Sequence, residues 1–424
     1  MANTITNPEL TAQLAALDQL TNWEQRPRGG MRVGLEPMLD LAGRLGNPER
    51  AYRVIHVAGT KGKSSTCALL EAGLRQAGHR VGRYSSPHVS HVSERITLDG
   101  QPVGEAELAA ALALSLDAFR AARAEGTAGR DATWFDLLTA TAFVIYRRAG
   151  VEWAVIETGL GGRLDSTNIV ESEAAVITNI ELEHTEVLGK TRAAIASEKA
   201  GIIKPGSIAL TPLAESDEAG AVIASRASQL GVRLIRPDIP EGAGIMARNA
   251  ALAAAVLDAL AIKDGKPALG AAWFDPATIV SARLPGRLQT LTEEIGGTAV
   301  PVVLDGAHVP FNLAAVLTDI GGMADFQGPC VAVVSFAEDK DALGLLSVLS
   351  RRASHVIFTV ASGRSRSPSE LAAMAEQLRL PSEIEPDPQR AYDKALEKAA
   401  DSKSWVLVTG SLYLVGAIAT NGKA

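Results

Sequence analysis

Short apolar runs alternate with longer helical patterns along most of the 424-residue chain. Several runs are almost continuously apolar, which is typical of parallel strands covered on both faces. The predicted strands are 53–58, 153–156, 174–180, 207–210, 300–304, 330–335, 355–360 and 405–408, and the clearest predicted helices are 64–77, 105–123, 135–148 and 249–261. This alternation predicts an α/β fold with helices on both faces of its sheets.

The length of the chain favours two domains, because a single hydrophobic core stops growing at roughly 250–300 residues. The segment Arg283-Leu284-Pro285-Gly286-Arg287 interrupts the pattern after a long helical region. A second strand and helix alternation then begins near residue 300. We therefore predict a larger domain over residues 1–284 and a smaller α/β domain over 285–424.

Composition narrows the classes of partner. The formal net charge is −7, with 41 basic and 48 acidic residues, so no nucleic-acid footprint is indicated. No apolar run approaches the ~20 residues that span a bilayer, and the polar start of the chain does not resemble a signal peptide. Cys67 and Cys330 are expected to be buried thiols rather than a disulfide. We expect a cytoplasmic monomer that binds neither membrane nor nucleic acid.

The strongest chemical signal is the segment Gly59-Thr60-Lys61-Gly62-Lys63-Ser64-Ser65, which follows an apolar strand and opens a helix. Glycines let backbone N–H groups approach phosphate oxygens, and the positive end of the helix dipole points to the same place. Lys63 can reach the terminal phosphates, and the Ser64 hydroxyl can bind magnesium. Val57 stands where the usual phosphate loop has its first glycine, so an ordinary βα turn is the alternative.

Three further segments accompany the loop. They are Tyr84-Ser85-Ser86-Pro87-His88 with Ser93-Glu94-Arg95-Ile96, the run Glu157-Thr158-Gly159-Leu160-Gly161-Gly162-Arg163-Leu164-Asp165-Ser166-Thr167-Asn168, and Thr178-Asn179-Ile180-Glu181-Leu182-Glu183-His184 with Ser197-Glu198-Lys199-Ala200-Gly201. Together with the loop these segments resemble the folylpolyglutamate synthase/dihydrofolate synthase family, a branch of the Mur-ligase superfamily. The resemblance continues through Leu304-Asp305-Gly306-Ala307-His308 and Val408-Thr409-Gly410-Ser411. Val309 and Ser65 depart from the family pattern, which usually has Asn and Gly at these positions.

The resemblance implies a phosphate-loop ATPase-like domain of the central Mur-ligase type, followed by a smaller Rossmann-like domain. It implies an ATP- and magnesium-dependent acid–amino-acid ligase that joins L-glutamate to a reduced folate through an acyl phosphate, and that also accepts dihydropteroate. The alternatives are another Mur-type amide ligase, and a phosphate-loop kinase or nucleotide-dependent binding protein.

The resemblance also implies roles for single residues. The nucleotide contacts are Gly59, Thr60, Lys61, Gly62, Lys63, Ser64, Ser65, Asn249, Arg287 and Asp305; the metal ligands, in two magnesium sites, are Ser64, Ser86, Glu157 and His184; the acyl-substrate and glutamate contacts are Ser86, Pro87, His88, Thr133, Phe135, Asp165 and Ser411; and the catalytic residues are Lys63, Lys199 and His308. Carbamylation of Lys199 would convert a cation into a carboxylate-like metal ligand, which requires a lowered lysine pKa. The alternative is an unmodified lysine that pairs with anions in the site.

Overall fold

The structure is a computed structural model that describes residues 5–24, 34–239 and 242–421. Its contacts divide the chain into two units. The larger unit consists of Ile5–His88 and Val92–Ala282, and the smaller unit is formed mainly by Arg283–Ala424 together with Val89–His91.

The larger unit is built on an eight-stranded sheet. Its strands are β1 (Arg53–Ala58), β2 (Val81–Tyr84), β3 (Ile96–Leu98), β4 (Gln101–Pro102), β5 (Trp153–Glu157), β6 (Ala174–Ile177), β7 (Ile208–Leu210) and β8 (Arg233–Ile235). Their order is β4-β3-β2-β5-β1-β6-β7-β8. The pairs β2–β3 and β3–β4 are antiparallel and the remaining pairs are parallel. The strand β1, which precedes the glycine-rich loop, therefore lies in the interior of the sheet, and five of its six residues are buried.

Helices cover this sheet. They are α1 (Pro8–Leu17), α2 (Glu36–Arg44), α3 (Lys63–Gln76), α4 (Glu105–Glu125), α5 (Trp134–Ala149), α6 (Thr185–Leu188), α7 (Arg192–Ala200), α8 (Glu218–Gln229), α9 (Ile245–Lys263) and α10 (Pro276–Ser281). Val54 and Ile156 of the sheet share one core with apolar residues of α4 and α5. Ala58 and Ile177 share another core with α7 and α8.

The smaller unit has a six-stranded sheet in the order β13-β12-β11-β14-β10-β9. Its strands are β9 (Gln289–Ile295), β10 (Thr298–Leu304), β11 (Cys330–Val334), β12 (Ala353–Phe358), β13 (Ser382–Ile384) and β14 (Trp405–Thr409), and its helices are α11 (Pro310–Gly321), α12 (Ala342–Leu349), α13 (Pro368–Gln377), α14 (Pro388–Ser402) and α15 (Leu412–Asn421). Only the edge strand β9 runs antiparallel to its neighbour among the described pairs. Apolar residues of β10, β11 and β14 pack with α14 and α15 in one core.

The predicted α/β fold is confirmed, and each predicted strand coincides with an observed one. Two boundaries were wrong in ways that concern the site. The strand predicted over 174–180 ends at Ile177, because the next residues turn to bind the glycine-rich loop. The helix predicted to open at Asn249 begins at Ile245, so Asn249 lies in its second turn.

Two further expectations concern burial. Cys67 and Cys330 are free and buried, as predicted. Among the described helices, α9 is long and apolar enough to meet the length and composition criteria for a membrane span. Its residues Leu252, Val256 and Leu257 are buried in the larger unit, which is the behaviour of a core helix.

Candidate active site

The loop between β1 and α3 has the backbone that a phosphate site needs. Gly59 has a φ of +150° and Gly62, which caps α3, has a φ of +81°. A Cβ atom at Gly59 would overlap Oγ1 of Thr178, so only glycine fits there. The first amides of α3 have no acceptors within the helix, and the helix dipole adds positive potential at this end. The loop is therefore shaped to bind an anion.

The segment that follows β6 holds this loop in place. The Thr60 amide donates to the Asn179 carbonyl at 3.0 Å, and the Lys61 amide donates to Asn179 Oδ1 at 2.7 Å. Thr178 Oγ1 donates to the Lys61 carbonyl at 2.6 Å. An ion pair of 2.7 Å joins Lys61 to Glu183. The roles of Thr178 and Asn179 were not predicted from the sequence, since hydrogen bonds between loops leave no periodic signal.

Three of the predicted metal ligands come together beside the loop. Glu157, at the carboxyl end of β5, is 1% exposed. Its Oε1 accepts from Ser64 Oγ at 3.0 Å, and its Oε2 lies 3.4 Å from the Ser86 amide nitrogen. The positions at the carboxyl ends of neighbouring parallel strands are where α/β proteins bind ligands.

The donor set fits a magnesium ion. Among the described residues, no three His, Cys, Asp or Glu side chains are grouped so that they could hold a metal ion by themselves. One carboxylate with nearby hydroxyl groups is nevertheless sufficient for Mg²⁺. The ion keeps several water ligands and takes its remaining oxygen ligands from substrate phosphates. Ser64, Ser86 and Glu157 would hold such an ion.

Two lysines lie at the loop. Lys63 Nζ donates to the Gly59 carbonyl at 3.1 Å, and Lys199 Nζ, reaching from α7, donates to the same carbonyl at 2.8 Å. Lys199 is 5% exposed. Burial, and secondarily the charge of Lys63, lower the pKa of Lys199 to about 7, against the opposing effects of Glu183 and Asp165. A fraction of this side chain is therefore a neutral amine near neutral pH.

His184 directly follows Glu183, which pairs with Lys61 of the loop, and Asn249 lies against Gly62 of the loop. His184 adopts a left-handed backbone, with a φ of +54°, directly after Glu183, and precedes α6. A Cβ atom on Gly62 would lie 2.9 Å from Asn249 Oδ1, so this amide lies against the loop. Within the described part of the chain, Asn249 Nδ2 is buried without a hydrogen-bond partner. Such an orphaned donor fits a site that a nucleotide completes.

The candidate acyl-substrate residues occupy two neighbouring places. His88 Nδ1 accepts from Arg95 Nε at 2.8 Å. Phe135 packs against Tyr84, with ring centroids 5.9 Å apart, and its ring lies where a Cβ atom of Gly159 would be. Phe135 therefore borders the segment that follows Glu157.

Two other candidates use their polar atoms inside the protein. Thr133 caps α5 in a capping box: its hydroxyl accepts from the Asp136 amide, and the Asp136 carboxylate accepts from the Thr133 amide. Asp165 is buried, and its carboxylate accepts from the amides of Leu160 and Thr167 at 2.7 and 3.1 Å. Burial raises the pKa of Asp165, although these hydrogen bonds oppose the effect. Thr133 and Asp165 thus shape the loops beside the site.

In the smaller unit, the candidate residues Asp305, His308 and Ser411 follow the carboxyl ends of β10 and β14, which are paired in parallel. Asp305 is buried and accepts from the Leu288 and Ala307 amides, each at 2.8 Å. Burial raises the pKa of Asp305, and the nearby Arg287 acts in the opposite direction. His308 Nδ1 is 2.9 Å from the Gly306 carbonyl. The Ser411 hydroxyl accepts from the Tyr413 amide at 3.2 Å, at the start of α15.

A larger unit with the loop between β1 and α3, followed by a smaller unit whose sheet is parallel except at its edge strand β9, is the architecture of a Mur-type ligase. Residues 286–412 match the family model described as Mur ligase, glutamate ligase domain. A dihydrofolate synthase/folylpolyglutamate synthase of Mycobacterium tuberculosis is 30% identical, and the match covers 98% of this chain and 95% of that protein. A probable bifunctional folylpolyglutamate synthase/dihydropteroate synthase of Haloferax volcanii is 32% identical over 91% of this chain, which spans only 48% of that relative.

Solved structures agree. A folylpolyglutamate synthase of Mycobacterium tuberculosis, complexed with ADP and AMPPCP, superimposes with a TM-score of 0.79 at 27% identity, covering 98% of this chain and 99% of the other. A bifunctional folylpolyglutamate synthase/dihydrofolate synthase with Mn, AMPPNP and L-glutamate bound gives 0.78 at 30% identity, covering 99% and 98%. The chain belongs to the folylpolyglutamate synthase/dihydrofolate synthase family, as its motifs predicted, and is an ATP-dependent ligase.

Proposed function

We propose that this ligase joins L-glutamate to a reduced folate, and that it also acts on dihydropteroate. The observation that carries the proposal is the convergence of Ser64, Glu157 and Ser86 beside a glycine-rich loop at the start of α3. The names of the relatives support the substrate class: relatives from Mycobacterium tuberculosis and Bacillus subtilis are each called dihydrofolate synthase/folylpolyglutamate synthase.

A carboxylate does not react with an amine until it is activated. When bound, ATP supplies the γ-phosphate that turns the carboxylate into an acyl phosphate, and a divalent ion neutralises charge. The protein's side chains mainly position these groups and stabilise their charge, and they form no covalent bond to them, as is general in phosphoryl transfer. The loop amides from Gly62 onward would hold the phosphates, Lys63 would neutralise the terminal phosphate, and Glu157 would hold the metal with Ser64 and Ser86.

A second metal site at His184 is part of the proposal. Its support is local: Glu183, next to His184, pairs with Lys61 of the loop at 2.7 Å. The buried Lys199, with its pKa lowered to about 7, would be carbamylated and serve this site. Carbamylation needs a neutral amine, and the burial of Lys199 supplies one. Incubation with ¹³C-bicarbonate and carbon NMR should show a carbamate signal that Lys199→Arg lacks; equal spectra from both proteins would exclude the modification.

The remaining roles are proposed from the contacts of each residue. The orphaned amide of Asn249 would contact the nucleotide base. Arg287 and Asp305 of the smaller unit would bind the nucleotide, and His308 with Ser411 would serve glutamate and the acyl phosphate.

For the acyl substrate we propose the loop Ser86-Pro87-His88 and the ring of Phe135. Thr133 and Asp165 would contribute through the loops that they hold. We further propose that the protein is a cytoplasmic monomer that binds neither nucleic acid nor membrane.

The test is incorporation of labelled L-glutamate with ATP and Mg²⁺, using tetrahydrofolate and dihydropteroate in parallel. We expect labelled product from both acceptors, and none from the Glu157→Gln variant. Product from tetrahydrofolate alone would remove the dihydrofolate synthase activity from the proposal. Labelled product from neither acceptor would contradict the proposed function as a whole.

A further inference from the structure

A buried ion pair connects the helix after the phosphate loop to the neighbouring strand. Glu71 lies on α3, and Arg83 lies on β2. Arg83 Nε donates to Glu71 Oε2 at 2.6 Å, and the two side chains are 7% and 4% exposed. Removing two charges from water is costly, and an apolar pair of similar volume is often equally stable or more so. Stability alone therefore gives no reason for this pair.

Two further polar atoms of the pair, Glu71 Oε1 and Arg83 Nη1, also form hydrogen bonds. Glu71 Oε1 accepts from Thr97 Oγ1 at 2.7 Å and from the Gly100 amide at 2.9 Å. Arg83 Nη1 donates to Ser85 Oγ at 2.9 Å. Buried polar networks with satisfied members fix one geometry of the groups that they join. Here the network joins the middle of α3, at Glu71, to Ser85, the residue directly after β2.

The network closes into a ring that contains the proposed metal ligands. Ser85 directly precedes Ser86, whose amide lies 3.4 Å from Glu157 Oε2. The other oxygen of Glu157 accepts from Ser64, in the first turn of α3. The same helix carries Glu71 seven residues later along the chain. The ring thus begins and ends on α3.

We propose that Arg83 is a positioning residue for the metal of the nucleotide: anchored by Glu71, it holds Ser85 and thereby sets the position of Ser86 relative to Glu157 and Ser64. The inference rests on the proposed role of those three residues as metal ligands. Arginine suits the task because its planar fork donates in two directions at once, which lysine does not do with the same geometry. Residues that orient metal ligands typically change metal affinity 10–100-fold when they are replaced.

The experiment measures the affinity for Mn²⁺ in the presence of AMPPNP, with free Mn²⁺ counted by electron paramagnetic resonance. Three changes remove the contact in different ways. Ser85→Ala deletes only its acceptor, Arg83→Lys keeps the charge beside Glu71, and the double change Glu71→Leu with Arg83→Met replaces the ion pair by an apolar pair. We expect Mn²⁺ affinity to fall about tenfold or more in each. The melting temperature of the double variant should equal or exceed that of the wild type.

Arg53→Met is the matched control. Arg53 also forms an ion pair, with Glu173 at 2.5 Å, but it lies at the start of β1, at the opposite end of the strand from the loop. Its loss should lower the melting temperature and leave Mn²⁺ affinity within about twofold of the wild type, since a contact that is only structural does not act on the metal.

Wild-type Mn²⁺ affinity in Arg83→Lys and Ser85→Ala would overturn the inference, whether or not the double variant folds. The Glu157→Gln variant separates a failure of the positioning role of Arg83 from a failure of the metal site. If Glu157→Gln loses Mn²⁺ while Arg83→Lys retains it, only the positioning role fails. If Glu157→Gln binds Mn²⁺ as the wild type does, the proposed metal site is wrong and the inference falls with it.

Discussion

Lys199 and Gly59, 140 residues apart in sequence, meet directly: Lys199 Nζ donates to the Gly59 carbonyl at 2.8 Å. The contact ties α7 to the first residue of the phosphate loop. Lys63 donates to the same carbonyl at 3.1 Å, so two lysines share one acceptor. Their proximity is one reason why the pKa of Lys199 falls, after the larger effect of burial.

Replacing Lys199 by Arg should reduce ligation at least about 100-fold while the protein stays folded, because arginine is charged throughout the accessible pH range and forms no carbamate. In bicarbonate buffer the wild-type rate should rise with pH through about 7, where the Lys199 amine loses its proton. Initial rates between pH 6 and 8.5 would show this dependence. A Lys199→Arg enzyme with more than a tenth of wild-type activity would contradict the assigned role.

Lys63→Ala should abolish turnover and leave the fold intact. Lys63 is bonded only to loop carbonyls among its described hydrogen bonds, and its amine is placed to neutralise a bound phosphate. Circular dichroism would test whether the variant is folded, and ADP release would measure its turnover. The control is Lys266→Ala, at an exposed position after α9, which should turn over at the wild-type rate. Near-wild-type turnover by Lys63→Ala would show that the loop is misassigned.

Gly59→Ala and Gly78→Ala form a matched pair. Both glycines have positive φ, of +150° and +88°, but an added Cβ meets Thr178 Oγ1 at Gly59 and open space at Gly78. Gly78→Ala should cost about 1–2 kcal/mol of unfolding free energy from backbone conformation and keep nucleotide affinity. Gly59→Ala should displace the loop and weaken AMPPNP binding by about tenfold or more, measured by calorimetry. Equal AMPPNP affinities in the two variants would rule out this account of the loop.

Lowering the pH should reduce the unfolding free energy of the larger unit, because His56 is held neutral in the folded protein. This side chain is fully buried, and burial lowers its pKa to about 3, with a smaller contribution from Lys204. Since the ordinary histidine pKa is near 6.5, the unfolded chain binds an extra proton between these values, and the folded state loses stability as pH falls from 6.5 toward 3. The slope from this group approaches about 1.4 kcal/mol per pH unit.

Urea unfolding at pH 7 and pH 5 would measure this dependence. His56 Nε2 lies 2.8 Å from Thr167 Oγ1, so His56→Asn is the informative change: it keeps a polar side chain without a group that titrates in this range. The variant should lose less stability between pH 7 and pH 5 than the wild type does. An identical loss would exclude His56 as the source.

The α/β pattern, the loop and the strand-end carboxylate Glu157 could be predicted from sequence because each leaves a local signal. Apolar continuity marks β1, and the glycines and Lys63 mark the turn after it. Six observed strands, β2, β3, β4, β8, β9 and β13, are absent from the predicted set. In β9, exposed and half-buried residues alternate at the edge of the sheet, and β13 has only three residues.

Contacts between distant segments could not be read from the sequence. The hydrogen bonds from the Lys61 amide to Asn179 and from Arg83 to Ser85 join residues at or just beyond the ends of strands. They depend on which strands are neighbours in the sheet and on where each strand ends. Asn249 shows the same limit. The family resemblance implied a nucleotide contact for Asn249, but only the structure shows its amide, in the second turn of α9, lying against Gly62.

In the proposed function, this chain couples ATP cleavage to the joining of glutamate to a folate. The most direct test measures ADP release with Mg²⁺ and tetrahydrofolate, in the presence and absence of L-glutamate. We predict that ADP forms at a sustained rate only when glutamate is present, in a one-to-one ratio with the extended folate. ADP formed equally fast without glutamate would contradict the claim and indicate a kinase or a simple ATPase.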